Sequence, residues 1–258
     1  YSGLQIIDVS NPQNPVLLGS YDTPSCALSV TVSNNIAYVA DGESGLQIID
    51  VTNPQNPALL GSYDTPSSAS SIFVSNNIAY VADYGAGLQI IDVSNPQNPA
   101  LVGYYDTPGY PYSFIVSNNI AYIADHYAGL QIIDVSNPQN PALVGSYDTP
   151  GYAYSVFVSN NIAYVADYIA GLQIIDISNS HNPILIGSYD TLEAAYSVTV
   201  SNNIAYVAAS GGLQIIDVSN PQNPSLLGSY DTQDYEYSVF ISNNIAYVAD
   251  GNSGLQII

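Results

Sequence analysis

Few side chains of this 258-residue sequence could do chemistry. A nucleophile needs a neighbouring base, and the only imidazoles are those of His126 and His181. No GxSxG turn that would present a reactive serine occurs. A glycosidase needs two carboxyl groups, which Glu193 or Glu236 could supply together with Asp234. Propeller glycosidases that bind acidic sugars typically need an arginine cluster, however, and the chain has no arginine. We therefore expect no enzymatic activity, with a hydrolase as a distant alternative.

The acidic residues are the candidates for a metal site. Of 18 aspartates, 17 recur singly in the strings IID, YDT and VAD or IAD. Calcium needs about six to eight oxygens at one point, whereas a lone aspartate at the end of a strand commonly accepts backbone N–H groups in its own turn. We expect this structural role and no cofactor, with calcium as the weaker alternative. The single cysteine, Cys26, supports neither an internal disulfide nor a zinc site.

The charge balance excludes some partners. The chain has no lysine or arginine and a formal net charge of −21, so it lacks the cations that neutralise phosphates in nucleic-acid binding. An anionic membrane surface is disfavoured for the same reason. The composition, 47% hydrophobic and 8% charged, is that of packed strands rather than of disorder. No apolar run reaches the roughly 20 residues of a membrane helix, so membrane insertion is not expected.

The sequence is one motif repeated. The string GLQII begins at positions 3, 45, 87, 129, 171, 212 and 254, at intervals of 42, 42, 42, 42, 41 and 42 residues. One unit reads GLQIIDVSNPQNPALVGSYDTPGYAYSVFVSNNIAYVADYIA and contains four short runs rich in Val, Ile and Tyr, which is typical of strands. We name these runs A (SVFV), B (NIAYVA), C (GLQIIDVS) and D (ALVGSYD).

The turns between these runs have a clear chemistry. SNN between A and B places asparagine where a tight hairpin needs positive φ, and the prolines of NPQNP stop a strand between C and D. No apolar stripe at helical spacing occurs. The pattern predicts an all-β, six-bladed β-propeller with four antiparallel strands in each blade and repeats of about 42 residues; a solenoid is the rival architecture.

The motif resembles a known family. GLQIIDVSNPQNPALVGSYDT followed by NIAYVAD is similar to the LVIVD repeat of bacterial and archaeal cell-surface propeller proteins, and the resemblance covers essentially the whole chain. It implies a surface-exposed β-propeller and an extracellular or cell-surface location, and it brings no catalytic residues.

The two ends of the chain carry copies of the same strand. Residues 252–258 nearly repeat residues 1–7, so GLQII occurs once more than six blades require. We predict a single domain over residues 1–258, in which the two terminal copies compete for, or share, a closing blade completed by residues 16–22. A fragment of a longer repeat array is the alternative.

The repeats differ in two sets of loops. The SNN and NPQNP turns barely vary, whereas the D–A and B–C loops differ in every blade, and antiparallel strands place these two loop types on one side. Ten tyrosines occupy them: Tyr84, Tyr110, Tyr112, Tyr127, Tyr152, Tyr154, Tyr168, Tyr196, Tyr235 and Tyr237. Tyrosine offers a large amphipathic face at low entropic cost, which suits recognition; mutual packing of the rings is the alternative.

We therefore expect a non-catalytic binding module for a polysaccharide or a cell-surface protein. A structural building block of a surface layer or extracellular filament, formed by self-assembly, is the alternative. Tyrosines should rim the mouth of a central channel over four blades, with a shallow gap at the two blades that carry Cys26, Leu28, Ser68 and Ser70. The predicted ligand-binding residues are Tyr110, Tyr112, Tyr152, Tyr154, Tyr196, Tyr235, Tyr237, His126, Tyr127, Glu193 and Glu236.

Overall fold

The computed structural model describes residues 3–232 and 234–258, and its strands coincide with the four predicted runs. The A strands are β3 (Ser29–Ser33), β7 (Ala69–Ser75), β11 (Ser113–Ser117), β15 (Ser155–Ser159), β19 (Ala195–Ser201) and β23 (Glu236–Ser242). The B strands are β4 (Ile36–Ala40), β8 (Ile78–Asp83), β12 (Ile120–Ala124), β16 (Ile162–Ala166), β20 (Ile204–Ala209) and β24 (Ile245–Asp250). The C strands are β1 (Leu4–Asp8), β5 (Leu46–Asp50), β9 (Gly87–Asp92), β13 (Leu130–Asp134), β17 (Leu172–Asp176), β21 (Gly212–Asp217) and β25 (Gly254–Ile257). The D strands are β2 (Val16–Tyr21), β6 (Ala58–Tyr63), β10 (Ala100–Tyr105), β14 (Ala142–Tyr147), β18 (Ile184–Tyr189) and β22 (Ser225–Tyr230).

Neighbouring strands pair in the order A–B–C–D. Five sheets in the described residues have four strands: β3–β6, β7–β10, β11–β14, β15–β18 and β19–β22, which we number as the first to fifth blades. β1 pairs with β2 in a two-stranded sheet, and β23–β25 form a three-stranded sheet, the last blade. Helical structure in this part of the chain is confined to a 3-10 turn at Gly251–Ser253, so no helix there is long and apolar enough to cross a membrane.

The strands group into two compact units. The first extends to Tyr112 and includes Val135–Ala142, and the second comprises Ser113–Asp134 and Leu143–Ile258. The two terminal GLQII copies each pair within their own sheet, β1 with β2 and β25 with β24. Their sharing of one closing blade, and the single domain, stay predictions.

The A–B hairpin confirms the expected turn. Ser33 lies opposite Ile36 in the strand register, so Asn34 and Asn35 form a two-residue loop. Their φ angles are 51° and 61°, the left-handed conformation that this tight turn requires and that asparagine tolerates. All six SNN turns have the same pair of positive φ values.

Buried apolar side chains hold neighbouring blades together within a unit. Between the fourth and fifth blades, Leu172 and Ile174 of β17 share a cluster with Val198 of β19 and Val207 of β20. Each of these side chains is buried. Strands covered on both faces are apolar on both faces, which explains why the runs do not alternate between apolar and polar residues.

Two repeated glycines permit close backbone contacts. Gly171, which begins the GLQII string of the fourth blade, has φ +72°, and a Cβ there would overlap the carbonyl oxygen of Tyr189. A Cβ on Gly187, in the GSYD string, would overlap the carbonyl of Pro221 in the NPQNP turn of the next blade. These glycines are therefore needed for strand pairing and for stacking of successive blades.

The repeated aspartates have two structural roles. The IID aspartates Asp8, Asp50, Asp92, Asp176 and Asp217 each accept the backbone N–H of the residue two positions ahead at 2.8 Å. This hydrogen bond lowers the pKa of Asp176, because it stabilises the carboxylate. The expected structural role is confirmed for these residues.

The aspartates that end the B strands are buried and fix the D–A loops. Asp167 accepts the Thr149 hydroxyl at 2.6 Å and the Gly151 N–H at 2.8 Å. Asp41 and Asp83 accept a threonine hydroxyl and a backbone N–H in the same way. The fifth blade has Ala209 instead, so it lacks this contact.

Stability should depend on the ionisation of Asp167. Burial raises its pKa to about 6, although the hydrogen bonds from Thr149 and Gly151 act in the opposite direction. The folded state therefore binds a proton more readily than the unfolded state. The free energy of unfolding should rise by about 1 kcal/mol from this group as the pH falls from 7 to 5.

Asp167→Ala introduces the residue that the fifth blade has at this position. The change should remove this contribution and flatten the pH dependence of the free energy of unfolding. Denaturant unfolding at several pH values measures it. Asp176→Ala is the control. Because the pKa of Asp176 is lowered, its ionisation affects stability only in more acidic solution, and the variant should keep the pH dependence between pH 7 and 5. An unchanged pH dependence in Asp167→Ala would contradict the assignment.

Candidate functional site

The tyrosines of the variable loops form aromatic clusters. In the first unit, the ring of Tyr84 stacks on Tyr110, with centroids 4.2 Å apart and planes 7° from parallel. Tyr112 meets the same ring edge-on at 5.6 Å. Tyr84 belongs to the B–C loop of the second blade, and the other two belong to the D–A loop that enters the third. The cluster therefore joins loops of successive blades.

The second unit repeats this arrangement with a histidine. The His126 ring stacks on Tyr152 at 4.3 Å with planes 6° apart, and Tyr154 and Tyr127 meet it edge-on at 5.6 and 5.9 Å. Burial lowers the pKa of His126, which favours the neutral imidazole. The imidazole thus takes the place that the phenol ring of Tyr84 has one blade earlier.

The next blade departs from this arrangement. The residue equivalent to Tyr84 and His126 is Tyr168, and the residue equivalent to Tyr110 and Tyr152 is Ala194. Tyr168 contacts the rings of Tyr152, Tyr154 and Tyr196, at 5.4–6.0 Å and with planes 34–60° apart. In the described part of the chain no ring stacks in parallel on Tyr168.

A cleft of about 420 Å³ opens at this place. Its lining is Tyr168, Ile169, Leu192, Glu193, Ala194, Tyr196, Ser210 and Tyr235. Glu193 is exposed, and Leu192 is 87% exposed. The cleft thus combines tyrosine rings, an acidic group and two exposed aliphatic side chains.

The sequence explains why the loop at this cleft differs. Because Ala209 has no carboxylate, the Thr191 hydroxyl donates instead to the carbonyl of Glu193 at 2.5 Å. Leu192 adopts φ +63°, and its N–H donates to Asp190 at 2.9 Å. The B–C loop of the same blade is also one residue shorter, as the interval of 41 residues shows. The shortened loop stays joined to this D–A loop, because the Ser210 N–H donates to the carbonyl of Ala194 at 3.0 Å.

Tyr196 forms one wall of the cleft. Burial raises the pKa of its hydroxyl, while a hydrogen bond with the Ser210 side chain acts in the opposite direction. Its ring also lies 5.9 Å from that of Tyr237. The phenol is therefore neutral at physiological pH, as is usual for tyrosine.

A second cleft, of about 510 Å³, lies in the first unit. It is lined by Glu43, Asp64, Thr65, Pro66, Ser67 and Ser68. It contains Ser68, one of the small residues at which a gap was expected, but it has no aromatic wall.

The structure corrects the placement of Glu236. This glutamate was expected beside the tyrosines at the surface, but it is fully buried. It takes the position of Ala69, Ala153 and Ala195 in the other blades, facing inward between Tyr235 and Tyr237, which are exposed. The alternation of a strand explains the error, since alternate residues point to opposite sides.

Glu236 supplies a hydrogen-bond acceptor to the shortened B–C loop of the fifth blade. Its Oε2 accepts the Gly212 N–H at 3.2 Å, whereas the equivalent Gly171 donates within its own loop, to the carbonyl of Tyr168 at 3.1 Å. Glu236 lies opposite Asp250 in the strand register. Its Oε1 and Asp250 Oδ2 are buried without a hydrogen-bond partner. Burial and the charges of Asp250 and Asp231 raise the pKa of Glu236.

The remaining predicted residues fall into three places. Tyr110 and Tyr112 lie in the first cluster, His126, Tyr127, Tyr152 and Tyr154 in the second, and Glu193, Tyr196 and Tyr235 at the cleft, with Tyr237 beside Tyr196. The rim around a channel mouth stays a prediction. Sequence reasoning missed Tyr84 and Tyr168 as members of the site, although their repeat positions, equivalent to that of His126, could have indicated them. Among the described residues, no three His, Cys, Asp or Glu side chains converge so that they could hold a metal ion.

Antiparallel four-stranded blades with variable loops define a β-propeller, and the predicted six-bladed class is confirmed. The LVIVD-repeat profile matches residues 1–23, 26–65, 66–107, 108–149, 150–191, 194–232 and 236–258. The chain therefore belongs to the LVIVD-repeat family.

Solved structures agree in fold. A protein from Lactobacillus plantarum superimposes with a TM-score of 0.83 at 12% identity, covering 98% of this chain and 89% of that one. The computationally designed Ika8 protein gives 0.72 at 14% identity, covering 91% and 71%. No curated protein matches the sequence. At such low identity these likenesses concern the fold alone.

Glu236→Gln should stabilise the fold. The neutral amide can accept from Gly212 and donate to the unpartnered oxygen of Asp250, and it removes one of two facing buried carboxylates. We expect about 1–2 kcal/mol more free energy of unfolding at pH 7. The gain should shrink in acid, because the raised pKa lets the wild-type glutamate bind a proton as the pH falls.

Denaturant unfolding at pH 7 and pH 4.5 tests this prediction. Glu193→Gln is the matched control, the same change at an exposed side chain, and should leave stability nearly unchanged. A destabilised Glu236→Gln protein at pH 7 would contradict the account of this pair.

Proposed function

We propose that the protein is a non-catalytic binding module of the cell surface or extracellular space. Its ligand is a polysaccharide or a surface protein, held by the tyrosine-rich variable loops. The observation that carries the proposal is the cleft at Tyr168, Glu193 and Tyr235, where the repeated stack of rings is interrupted and polar groups remain beside the aromatic walls.

The exposed tyrosines support recognition. Tyr235 and Tyr237 are 54% and 60% exposed, and Tyr127 and Tyr152 are about half exposed. A phenol ring offers a flat apolar face to a sugar ring or a side chain while its hydroxyl remains available for hydrogen bonds. Such anchors are frequent among residues that dominate binding energy.

Other tyrosines mainly support the loops. Tyr154 is half-buried and contacts the rings of His126, Tyr168 and Tyr196. We therefore divide the aromatic residues into packed ones, which keep the loops rigid, and exposed ones, which contact the ligand. Rigid loops lower the entropic cost of binding.

Substitutions of the exposed and of the packed tyrosines should have different effects on binding and stability. Tyr235→Ala and Tyr237→Ala should each weaken binding by about 1–2 kcal/mol with little change in melting temperature. Tyr154→Ala should lower the melting temperature instead, because it removes three ring contacts. A glycan array identifies a ligand, and calorimetry with that glycan, together with thermal unfolding, measures each variant. Lost stability with unchanged binding in all three variants would mean that the rings only pack.

A second candidate function is assembly into a surface layer or filament. Val30 and Val32 of the first blade are 49% and 62% exposed, whereas the equivalent Val198 is 5% exposed, in a cluster that also contains Phe157. On the last blade, Phe240, the equivalent of Phe157, is 64% exposed. The Phe240 face of one copy therefore suits the Val30 face of a second copy, a head-to-tail contact that can continue as a filament.

Sedimentation over a range of concentrations tests this assembly. The wild-type protein should associate as concentration rises, and Val30→Asp should remain monomeric because it places a charge on the apolar face. Leu192→Asp places the same charge at an exposed loop residue away from both faces, so this variant should associate as the wild type does. A wild-type protein that stays monomeric throughout would contradict the assembly function.

A further inference from the structure

The open position over Tyr168 has a defined shape. In the two preceding blades the equivalent rings stack at 4.2 and 4.3 Å, almost parallel. At Tyr168 the stacking residue is Ala194, whose methyl group leaves that place open, and both residues line the cleft. The open space over the Tyr168 ring is therefore as thick as one planar group. The ring contacts of Tyr168 with Tyr154 and Tyr196 fix the orientation of its plane.

The charge at this position favours a cation. The exposed carboxylate of Glu193 lines the cleft together with the rings of Tyr196 and Tyr235. The face of an aromatic ring attracts cations, and a carboxylate beside it adds a charge-assisted hydrogen bond. The chain has no lysine or arginine of its own and a net charge of −21. The cation must therefore come from another molecule.

The planar shape of the space over Tyr168 favours a guanidinium group over an ammonium group. A guanidinium group is flat, stacks on aromatic rings and forms paired hydrogen bonds with a carboxylate, whereas an ammonium group is a compact point charge. One blade earlier, the place that Ala194 leaves open is filled by the flat ring of Tyr152, which stacks on the planar His126 imidazole.

We propose that the cleft binds the guanidinium group of an arginine side chain on a basic partner protein, stacked on Tyr168 and paired with Glu193. This inference rests on the proposed binding function and specifies its ligand. The other walls, Tyr196 and Tyr235, enclose the cation, and Ala194 provides the space that it enters.

The test uses the whole protein and the peptide acetyl-Gly-Arg-Gly-amide. Binding is followed by NMR titration at about 150 mM salt, where the general attraction of the negative surface is screened beyond about 8 Å. The matched peptide with citrulline has nearly the same shape without the charge, and we expect it to bind at least about tenfold more weakly. A lysine peptide should bind with intermediate affinity.

Two variants locate the site. Ala194→Tyr introduces the tyrosine that other blades have at this position, among them Tyr110 and Tyr152, so the variant should fold. The rebuilt stack should raise the melting temperature and abolish arginine binding. Glu193→Gln should weaken binding about five- to tenfold. Glu43→Gln removes an exposed carboxylate at the other cleft, and it should change affinity less than about twofold.

Several results would overturn the proposal. These are equal binding of the arginine and citrulline peptides, equal losses in Glu193→Gln and Glu43→Gln, or arginine binding that persists in a folded Ala194→Tyr protein. A neutral oligosaccharide that binds in place of arginine and is blocked by Ala194→Tyr would refute the arginine ligand while supporting the proposed binding function. If neither the peptides nor an array of glycans binds the wild-type protein, the arginine ligand and the polysaccharide ligand are both wrong.

Discussion

The variable loops depend on one buried interaction, made by the carboxylate that ends five of the six B strands. Asp167 joins its strand to the D–A loop through the Thr149 hydroxyl and the Gly151 N–H, and Asp41 and Asp83 do the same in their blades. The contact uses the backbone and one threonine, so it leaves the other loop side chains free to differ. Burying a charge is costly unless hydrogen bonds satisfy it, which explains why each of these three carboxylates has two donors. Loops of different sequence can therefore be held in one conformation.

The fifth blade shows what happens without this interaction. Ala209 cannot hold the loop, Leu192 turns to a positive φ, and the cleft opens beside Tyr168 and Ala194. Glu236, from the next blade, accepts the N–H of Gly212 in the shortened loop, but it faces Asp250 at close quarters. A pair of facing buried carboxylates is costly unless hydrogen bonds satisfy it, and among the described residues Glu236 Oε1 and Asp250 Oδ2 have no such partner.

The scaffold could be predicted from the sequence because each of its features repeats. The period of 42 residues gives the blades, SNN gives the hairpins, and the IID aspartates give hydrogen-bonded turns. The candidate site was only partly predictable. Glu236 was placed at the surface because its residue type suggested exposure, although its repeat position, occupied by Ala69, Ala153 and Ala195, indicated burial. The stack of Tyr84 on Tyr110 links different repeats, and a comparison within one repeat cannot show which side chains meet across two blades.

The separation of a constant framework from variable loops has a consequence for evolution. Because the loops held by Asp41, Asp83 and Asp167 are fastened by the same few atoms, a loop sequence can move between these blades by recombination of the segments that encode them. Unequal crossing-over at the same repeats would add or remove a whole blade whose faces already fit its neighbours. A population of such genes can diversify its variable loops rapidly, while the hydrogen bonds that hold the framework stay unchanged.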